Sequence, residues 1–197
     1  MTSENPSRRG QPKGDKRQRT RSALLEAARA VVREKGYERT TLEEVARRAG
    51  MTTGAIYGNF KNRDELFIAL GHAYWPPVKP SVAPGATFAE AMRALAAATI
   101  AAVDERAPVA VGRLTGMAYT LTNGELRARV QDVTRDSYEF GAEWLRGFDA
   151  RELPMPPDQL VRVIHALIEG LVMQRLLTPA LCPDDVFYAA FDALARK

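Results

Sequence analysis

The stretch that decides the fold runs from Thr40 to Leu66 and reads TTLEEVARRAGMTTGAIYGNFKNRDEL. It contains two short helix patterns separated by a turn. Thr41 is followed three residues later by Glu44, a spacing typical of a capping box at the start of a helix. Apolar residues then recur at the spacing of one helix face, and Gly50 can supply the left-handed conformation that commonly ends a helix. The pattern predicts a first helix from about Leu42 to Gly50.

A second helix is predicted directly after the turn. Thr52 has the hydroxyl needed to cap it, and Met51 and Ile56 stand at the two positions of a hydrophobic staple. The outer side of this helix carries only small or hydrogen-bonding side chains, so its backbone could approach the major groove of DNA closely. These side chains are Thr53, Gly54, Ala55 and Asn59. Two helices joined by a tight turn predict a helix-turn-helix whose second helix, residues 52–59, contacts base edges.

Several polar residues around this second helix are suited to hold DNA phosphates. Tyr57 offers a hydroxyl at the helix end, and Lys61 and Arg63 offer cations just beyond it. Thr41 and Asn59 complete the predicted set of phosphate contacts. The apolar residues of the same region are expected to pack inward.

The spacing of four residues resembles a family signature. Tyr57, Phe60, Arg63 and Leu66 stand in the order Tyr-x-x-Phe-x-x-Lys/Arg-x-x-Leu, as in the DNA-binding domain of the tetracycline-repressor-type (TetR) family of bacterial regulators. An upstream apolar helix stripe, which ends at Lys35-Gly36-Tyr37, fits the same domain; its members are Leu24, Leu25, Ala28, Val31 and Val32. The resemblance covers roughly residues 17–72. Asn59 replaces a histidine or tyrosine common in the family, and Arg63 replaces the usual lysine.

The resemblance implies a function and a mechanism. A dimer would place the second helix of each helix-turn-helix into adjacent major grooves of a palindromic double-stranded operator and block transcription. A small-molecule inducer in the second domain would favour a state of the dimer that does not fit the operator. An architectural DNA-binding protein without an inducer is the alternative function, and it predicts weak sequence preference and no response to small molecules.

The charge distribution agrees with DNA binding. Residues 1–63 hold 15 Lys or Arg against 7 Asp or Glu, whereas the remainder holds 13 against 17, so the whole chain carries +4. Positive charge is therefore concentrated around the helix-turn-helix, as attraction to phosphates requires. No basic amphipathic helix with large apolar residues, which membrane-surface binding would favour, is present in the sequence.

The composition of successive segments predicts the domain organisation. Residues 1–16 are rich in Pro, Gly, Ser and charge, which predicts a disordered basic arm that either trails along DNA or remains a solvated tail. Residues 17–74 form the predicted DNA-binding domain. Four prolines interrupt residues 75–86, which predicts a linker. Residues 87–197 form the predicted second domain, which would bind ligand and dimerise.

Helical periodicity continues to the end of the chain, and strand alternation is missing. Thr87 and Glu90 make a second capping box, which predicts a helix to about Arg106. Further helices are expected up to Asn123-Gly124, up to about Phe148, and from Asp158 to Leu177, with a last one after Pro183. The predicted fold is all-α, with about nine helices.

The helix at residues 158–177 is apolar around more of its circumference than a half-exposed helix should be. A second copy packing against it and the last helix, as a four-helix bundle in a homodimer, would cover its second face. The predicted interface residues are His165, Glu169, Gly170, Gln174, Phe187 and Phe191. The alternative is that this helix is the central strut of one subunit's core.

The remaining helices are expected to enclose a pocket for the inducer, as the resemblance implies. Apolar and aromatic residues with a few polar tips are candidates for its lining. They are Met92, Leu95, Met117, Tyr119, Tyr138, Trp144, His165 and Met173. Their character favours a hydrophobic or aromatic small molecule.

Enzymatic chemistry is not predicted. The chain has two histidines and one cysteine, Cys182, and it lacks metal-ligand motifs, a glycine-rich phosphate loop and a Gly-x-Ser-x-Gly elbow. No metal or cofactor is therefore expected. A lone cysteine and the lack of a long apolar run favour a cytoplasmic protein without a membrane segment.

Overall fold

The computed structural model describes residues 13–196, with side chains from Lys16 onward. Within this range the chain forms nine α-helices and two short 3-10 turns and no strand, so the predicted all-α class is confirmed. The helices are α1 (Lys13–Lys35), α2 (Leu42–Arg48), α3 (Thr53–Tyr57), α4 (Arg63–Tyr74), α5 (Phe88–Arg106), α6 (Ala110–Thr122), α7 (Gly124–Arg146), α8 (Pro157–Leu177) and α9 (Asp184–Ala195). The chain divides into two compact units, one ending at Ala73 and the other starting at Tyr74.

The first unit is organised around a small core to which α1, α2, α3 and α4 all contribute. Leu24 and Val31 of α1, Val45 of α2, Ile56 of α3 and Leu66 of α4 are completely buried. Burial of such side chains is the main term that holds short helices together, because a helix of five or seven residues is unstable alone. The core thus fixes α3 in place.

The boundaries of α2 and α3 follow from their caps. The Thr41 side chain accepts the N–H of Glu44, and the Thr52 side chain accepts the N–H of Ala55. Gly50 ends α2 with φ 65°, which is the left-handed conformation expected of it. The predicted turn between the two helices is confirmed. The second helix ends at Tyr57 rather than Asn59, since α3 has only five residues.

The predicted capping box at Thr41 is only half formed. The Glu44 carboxylate accepts from Lys35 and Arg47 instead of returning to the backbone of Thr41. Two cations compete for the carboxylate more strongly than a single neutral N–H does.

The first helix starts earlier than the sequence suggests. Lys13–Lys16 belong to α1, so these four residues of the predicted arm are helical. Residues 1–12 of that arm lie outside the described residues.

The second unit is built on α5, α8 and α9. At the start of α5, Thr87 and Glu90 form the complete predicted capping box. The core beneath contains Phe88, Met92, Leu160, Phe187 and Phe191, all of which are at most 1% exposed. In contrast, α6 contributes no buried residue.

The start of the second unit is anchored in the core of that unit by Trp75. Trp75, which we predict as linker, is buried among the core residues. Its indole Nε1 donates to Oε1 of Glu169 in α8 at 2.8 Å, and the carbonyl of Pro76 accepts from Arg106 in α5. Proline content shows that residues 75–86 are not a helix, but it carries no information about burial.

Among the described helices, none combines the length and the apolar character needed to cross a lipid bilayer.

Candidate functional site

The outer side of α3 is the candidate nucleic-acid interface. Thr53, Gly54 and Tyr57 are exposed, and Ala55 is half-buried. The buried Ile56 anchors the opposite side of the helix. The only bulky exposed side chain on this short helix is Tyr57, at its C-terminal end, so the first turn presents little more than backbone and a threonine hydroxyl. That surface has the shape required for close approach to base edges.

Tyr57 is oriented by a residue of the preceding helix. Its hydroxyl donates to Oε1 of Glu43 at 2.8 Å, while 49% of the side chain remains exposed. The hydrogen bond from Tyr57 lowers the pKa of Glu43, and the same contact raises the pKa of Tyr57. The Glu43 carboxylate therefore fixes the orientation of the Tyr57 ring at the end of α3, and the ring stays exposed to solvent.

Asn59 does not take the position that we predict for it. It is half-buried, and its Nδ2 donates to the carbonyl of Ala55 at 2.8 Å. Its Oδ1 is buried and has no hydrogen-bond partner in the described part of the chain. The amide is turned back onto its own helix because α3 ends two residues earlier and leaves that carbonyl without a helical partner. In this conformation the Asn59 amide is engaged with its own helix, and a contact between Asn59 and a phosphate stays a prediction.

The two predicted cations differ in their surroundings. Lys61 is exposed, and within the described residues its backbone N–H donates to Glu65 while its ammonium group makes no ion pair. Arg63 is half-buried, donates to the carbonyl of Glu38 at 3.0 Å and lies 5.6 Å from the ring centroid of Phe67. Lys61 thus has the freer charge, whereas Arg63 also ties the start of α4 to the loop after α1.

Sequence reasoning missed one residue of this site. Arg21 in α1 donates from Nη1 to the carbonyl of Asn59 at 2.9 Å and lies 4.4 Å above the ring of Phe60. Arg21 thereby holds the segment after α3 against α1, although Arg21 and Asn59 are 38 residues apart in sequence. No local pattern indicates such a pairing.

Ion pairs stiffen the helix that supports α3. Glu44 accepts from Arg47 at 2.7 Å and from Lys35 at 2.9 Å. Hydrogen bonds from Arg47, followed by those from Lys35, lower the pKa of Glu44 to about 2. The carboxylate is therefore charged at neutral pH.

The second unit contains a polar cluster that the sequence does not reveal, formed by Trp75, Arg106, Arg113 and Glu169. Arg106 is only 3% exposed. Its Nη1 lies 3.6 Å from Oε1 of Glu169, and Arg113 Nη2 lies 3.5 Å from Oε2. The two guanidinium groups lie 4.5 and 5.5 Å from the ring of Trp75. Burial has the largest influence on the pKa of Arg106 and lowers it. The negative charge of Glu169 acts in the opposite direction and raises this pKa.

Two of the predicted pocket residues lie beside this cluster. The hydroxyl of Tyr138 is 3.3 Å from Nδ1 of His165, and their rings meet edge to face. The surrounding protein lowers the pKa of His165 mainly by desolvation; Glu169 opposes this, and Arg113 and Arg106 reinforce it. His165 also precedes Glu169 by four residues on α8, so the two side chains lie on the same side of that helix.

The other predicted pocket residues are divided between core and surface. Met92 and Leu95 are fully packed in the core and expose almost no surface, so they are wrong as pocket lining in this structure. Trp144 and Met173 pack partly buried against that core. On α6, Met117 is 46% exposed and Tyr119 is half-buried. The apolar pattern alone cannot distinguish these environments.

Four of the six predicted interface residues contact other elements of their own chain. Phe187 and Phe191 are 0% exposed, so the prediction that they contact a second copy is wrong. Glu169 accepts from Trp75, and His165 contacts Tyr138 of α7. Gly170 and Gln174 are exposed on α8. The apolar stripe of α9 covers the core of its own unit, which explains the error at the two phenylalanines.

No group of three or more His, Cys, Asp or Glu side chains arranged to hold a metal ion occurs within the part of the chain that the structure describes.

Comparison with known proteins matches the first unit to a family. Residues 24–70 fit the family model "Bacterial regulatory proteins, tetR family". The chain is 47% identical over 53 residues to the HTH-type transcriptional regulator TtgR of Pseudomonas putida. The aligned residues make up 27% of this chain and 25% of TtgR. The aligned region thus spans about a quarter of the length of the curated relatives that the chain matches.

Two solved structures are similar over most of the chain. The SmeT–triclosan complex is 25% identical with a TM-score of 0.58 and covers 89% of this chain and 91% of SmeT. SmeT is the repressor of the multidrug efflux pump SmeDEF of Stenotrophomonas maltophilia. Native NalD, the secondary repressor of the MexAB-OprM multidrug efflux pump in Pseudomonas aeruginosa, is 26% identical with a TM-score of 0.58 and covers 89% of this chain and 93% of NalD. Since the family model spans the whole of α2 and α3, the first unit contains a DNA-binding domain like that of the TetR family of bacterial regulatory proteins.

Proposed function

We propose that this protein is a dimeric, ligand-responsive transcriptional repressor that acts on DNA in the bacterial cytoplasm. In this proposal the α3 helices of two subunits bind the half-sites of a palindromic operator, and a small molecule bound in the second unit releases the DNA. The observation that carries the proposal is the exposed outer side of α3, on a helix capped at Thr52 and fixed by Ile56.

The exposure of that side supports the following set of contacts to DNA. Thr53, Gly54 and Ala55 form the first turn of α3 and would face base edges. Tyr57 and Lys61 would bind phosphates, with Arg63 in support. Thr41 and Thr52 are exposed caps whose backbone amides would lie near phosphates. One helix this short contacts few base pairs, so sequence specificity requires two half-sites.

Apolar exposure on the second unit supports a dimer. Val163, Gly170 and Leu177 recur at seven-residue spacing along α8, and all three are exposed. Leu177 is 70% exposed, and Val186 at the start of α9 is also exposed. A Cβ added at Gly170 would meet no atom within 4 Å. A second copy of the same face would cover this stripe, and Gly170 would allow the two α8 helices to approach closely.

The direction of regulation is proposed from the relatives. Two structural neighbours are repressors of multidrug efflux pumps, and one was solved with triclosan. These similarities support the proposal that this chain is a repressor and that an apolar or aromatic small molecule releases it from its operator. Coupling between ligand and operator would equal the difference in the ligand's affinity for the two states of the dimer.

Selection from a random double-stranded DNA pool tests the proposal. Purified protein would be challenged at about 150 mM salt, which suppresses non-specific phosphate binding. Recovery of one palindrome, bound by two chains, is the expected result. Folded protein that recovers no shared sequence and binds all DNA alike would overturn it in favour of an architectural role.

A further inference from the structure

The polar cluster of the second unit has more positive than negative charge. Arg106 and Arg113 share a single carboxylate, Glu169, whose Oε1 already accepts from Trp75 at 2.8 Å. Glu105 also acts on Arg106, but it is exposed, so solvent screens its charge. One carboxylate therefore balances two guanidinium groups at this site.

Two buried donors of the cluster make no hydrogen bond within the described residues, although Nη1 of Arg106 lies in ion-pair range of Oε1 of Glu169 at 3.6 Å. Arg106 Nη2 donates to the carbonyl of Pro76 at 2.7 Å, but Nη1 is buried without a hydrogen bond within the described residues. Nε of Arg113 is likewise buried without one. Buried donors are nearly always paired in proteins, because an unpaired donor loses its bond to water and receives nothing in return. Both unpaired atoms belong to cations, so the group that satisfies them best is an anionic oxygen.

Side chains that could contact an apolar body lie one helical turn from the cluster on α6 and on α8. Met117 follows Arg113 by four residues, so both lie on the same side of α6. Met117 is 46% exposed, and α6 buries no residue of its own. On α8, His165 precedes Glu169 by four residues and holds Tyr138. A molecule with an acidic head and an apolar body would bind the cations at its head and these side chains along its body.

We propose that the ligand of the second unit is an amphipathic carboxylic acid whose carboxylate binds Arg106 and Arg113. The inference rests on the proposed ligand-responsive function and specifies its ligand class. The carboxylate supplies one negative charge and two acceptor oxygens, which match the charge excess and the two unpaired donors. A neutral molecule of the same shape satisfies neither guanidinium as well.

Calorimetric titration of the full chain without DNA tests this assignment, in a buffer free of carboxylate and phosphate. The probes are decanoate and 4-phenylbutanoate, each compared with its primary alcohol. We expect at least one acid to bind at least tenfold more tightly than its alcohol, as a charge-assisted hydrogen bond implies. Binding by neither acid, or equal binding of acid and alcohol, would overturn the proposal.

Three variants locate the head group. Arg113 is partly exposed, so Arg113→Met should fold and should lose about tenfold or more in affinity for the acid but not for the alcohol. Arg135→Met, in an exposed pair with Asp132 on α7, is the matched control and should change neither affinity. Glu169→Gln removes the competing carboxylate and should tighten acid binding. Equal losses for acid and alcohol in Arg113→Met would indicate a structural role and overturn the assignment.

Operator release separates this inference from the proposed function. Acid that binds the protein but leaves the protein–operator complex intact would contradict ligand-responsive repression while the site assignment stands. Release of operator by the alcohols, with no response to the acids, would leave the repressor function intact and overturn the carboxylate assignment.

Discussion

The hydroxyl of Tyr57 and the carboxylate of Glu43 are joined by a hydrogen bond of 2.8 Å, which links the end of α3 to the start of α2. Glu43 places a negative charge beside the surface that we propose to face phosphates. Glu43 also accepts the hydrogen bond that the Tyr57 hydroxyl would otherwise donate to a phosphate oxygen. The contact therefore orients the ring and opposes DNA binding at the same time.

Glu43→Gln should strengthen DNA binding. The amide oxygen still accepts from Tyr57, but the negative charge is gone and the hydrogen bond to the tyrosine is weaker. We expect an affinity gain of about two- to fivefold for all sequences, the range of an exposed charge interaction. Fluorescence anisotropy at two salt concentrations measures it, with Glu125→Gln, which removes one exposed charge from the second unit, as control. Weaker binding would mean that the charge is needed to orient Tyr57.

Thr53→Ala and Tyr57→Phe should have different effects on DNA binding. Loss of the Tyr57 hydroxyl removes a proposed phosphate contact and should weaken binding to operator and to random DNA equally, by about tenfold. Loss of the Thr53 side chain removes a proposed base contact and should change which base is preferred at one position of each half-site, by about 1–3 kcal/mol. Repeating the selection with both variants makes the comparison. Uniform losses for both would contradict base contact by Thr53.

Acid should remove the contribution of Glu44 to stability. Its pKa in the folded chain is about 2, below the ordinary value of 4.5, so the ionised form is favoured by folding. Stabilisation is therefore complete above about pH 4.5 and is lost as the pH falls toward 2. Glu44→Gln should lower the midpoint of thermal unfolding at pH 7, and the deficit should shrink at pH 3.5. Circular dichroism measures both, and Glu26→Gln, in an exposed pair with Arg29, is the control. A deficit that is constant with pH would exclude the ion pairs as its cause.

Leu177→Glu should convert the proposed dimer to a monomer. The side chain is 70% exposed in one chain and lies in the apolar stripe of α8, where a second copy would bury the introduced charge. Leu121→Glu is the matched control, because Leu121 on α6 is also 70% exposed but lies outside that stripe. Sedimentation velocity should show a monomer for the first variant and a dimer for the second. A dimer for both variants would place the interface elsewhere.

Gly141→Ala should destabilise the second unit. A Cβ at this position of α7 would lie 2.6 Å from Cγ2 of Val161 in α8, and a β-branched side chain cannot move away easily. We expect a loss of about 1–2 kcal/mol in urea unfolding, since overpacking outweighs the better helix propensity of alanine.

Two further variants isolate the clash at Gly141. Gly112→Ala in α6 meets nothing within 4 Å and should be neutral or stabilising by up to about 1 kcal/mol. Adding Val161→Ala to Gly141→Ala should recover part of the loss. If the loss of stability in the double variant equals the sum of the losses in Gly141→Ala and Val161→Ala alone, the proposed clash between the two positions is contradicted.

The amino-acid sequence by itself determined the all-α class, the caps at Thr41, Thr52 and Thr87, and the bounds of most helices to within a few residues. These features depend on contacts three or four residues apart, so they are visible as spacing. The family signature from Tyr57 to Leu66 lies in one continuous stretch for the same reason. Predictions made from such local patterns therefore agree with the structure.

Only the tertiary structure decided which side of each helix is buried and which charges meet. Trp75 and Glu169 are 94 residues apart in sequence and share a hydrogen bond, and Arg21 reaches Asn59 across 38 residues. Phe187 belongs to the core although an interface would use the same apolar spacing. Periodicity identifies an apolar face but not its partner, because burial depends on how distant helices pack in three dimensions.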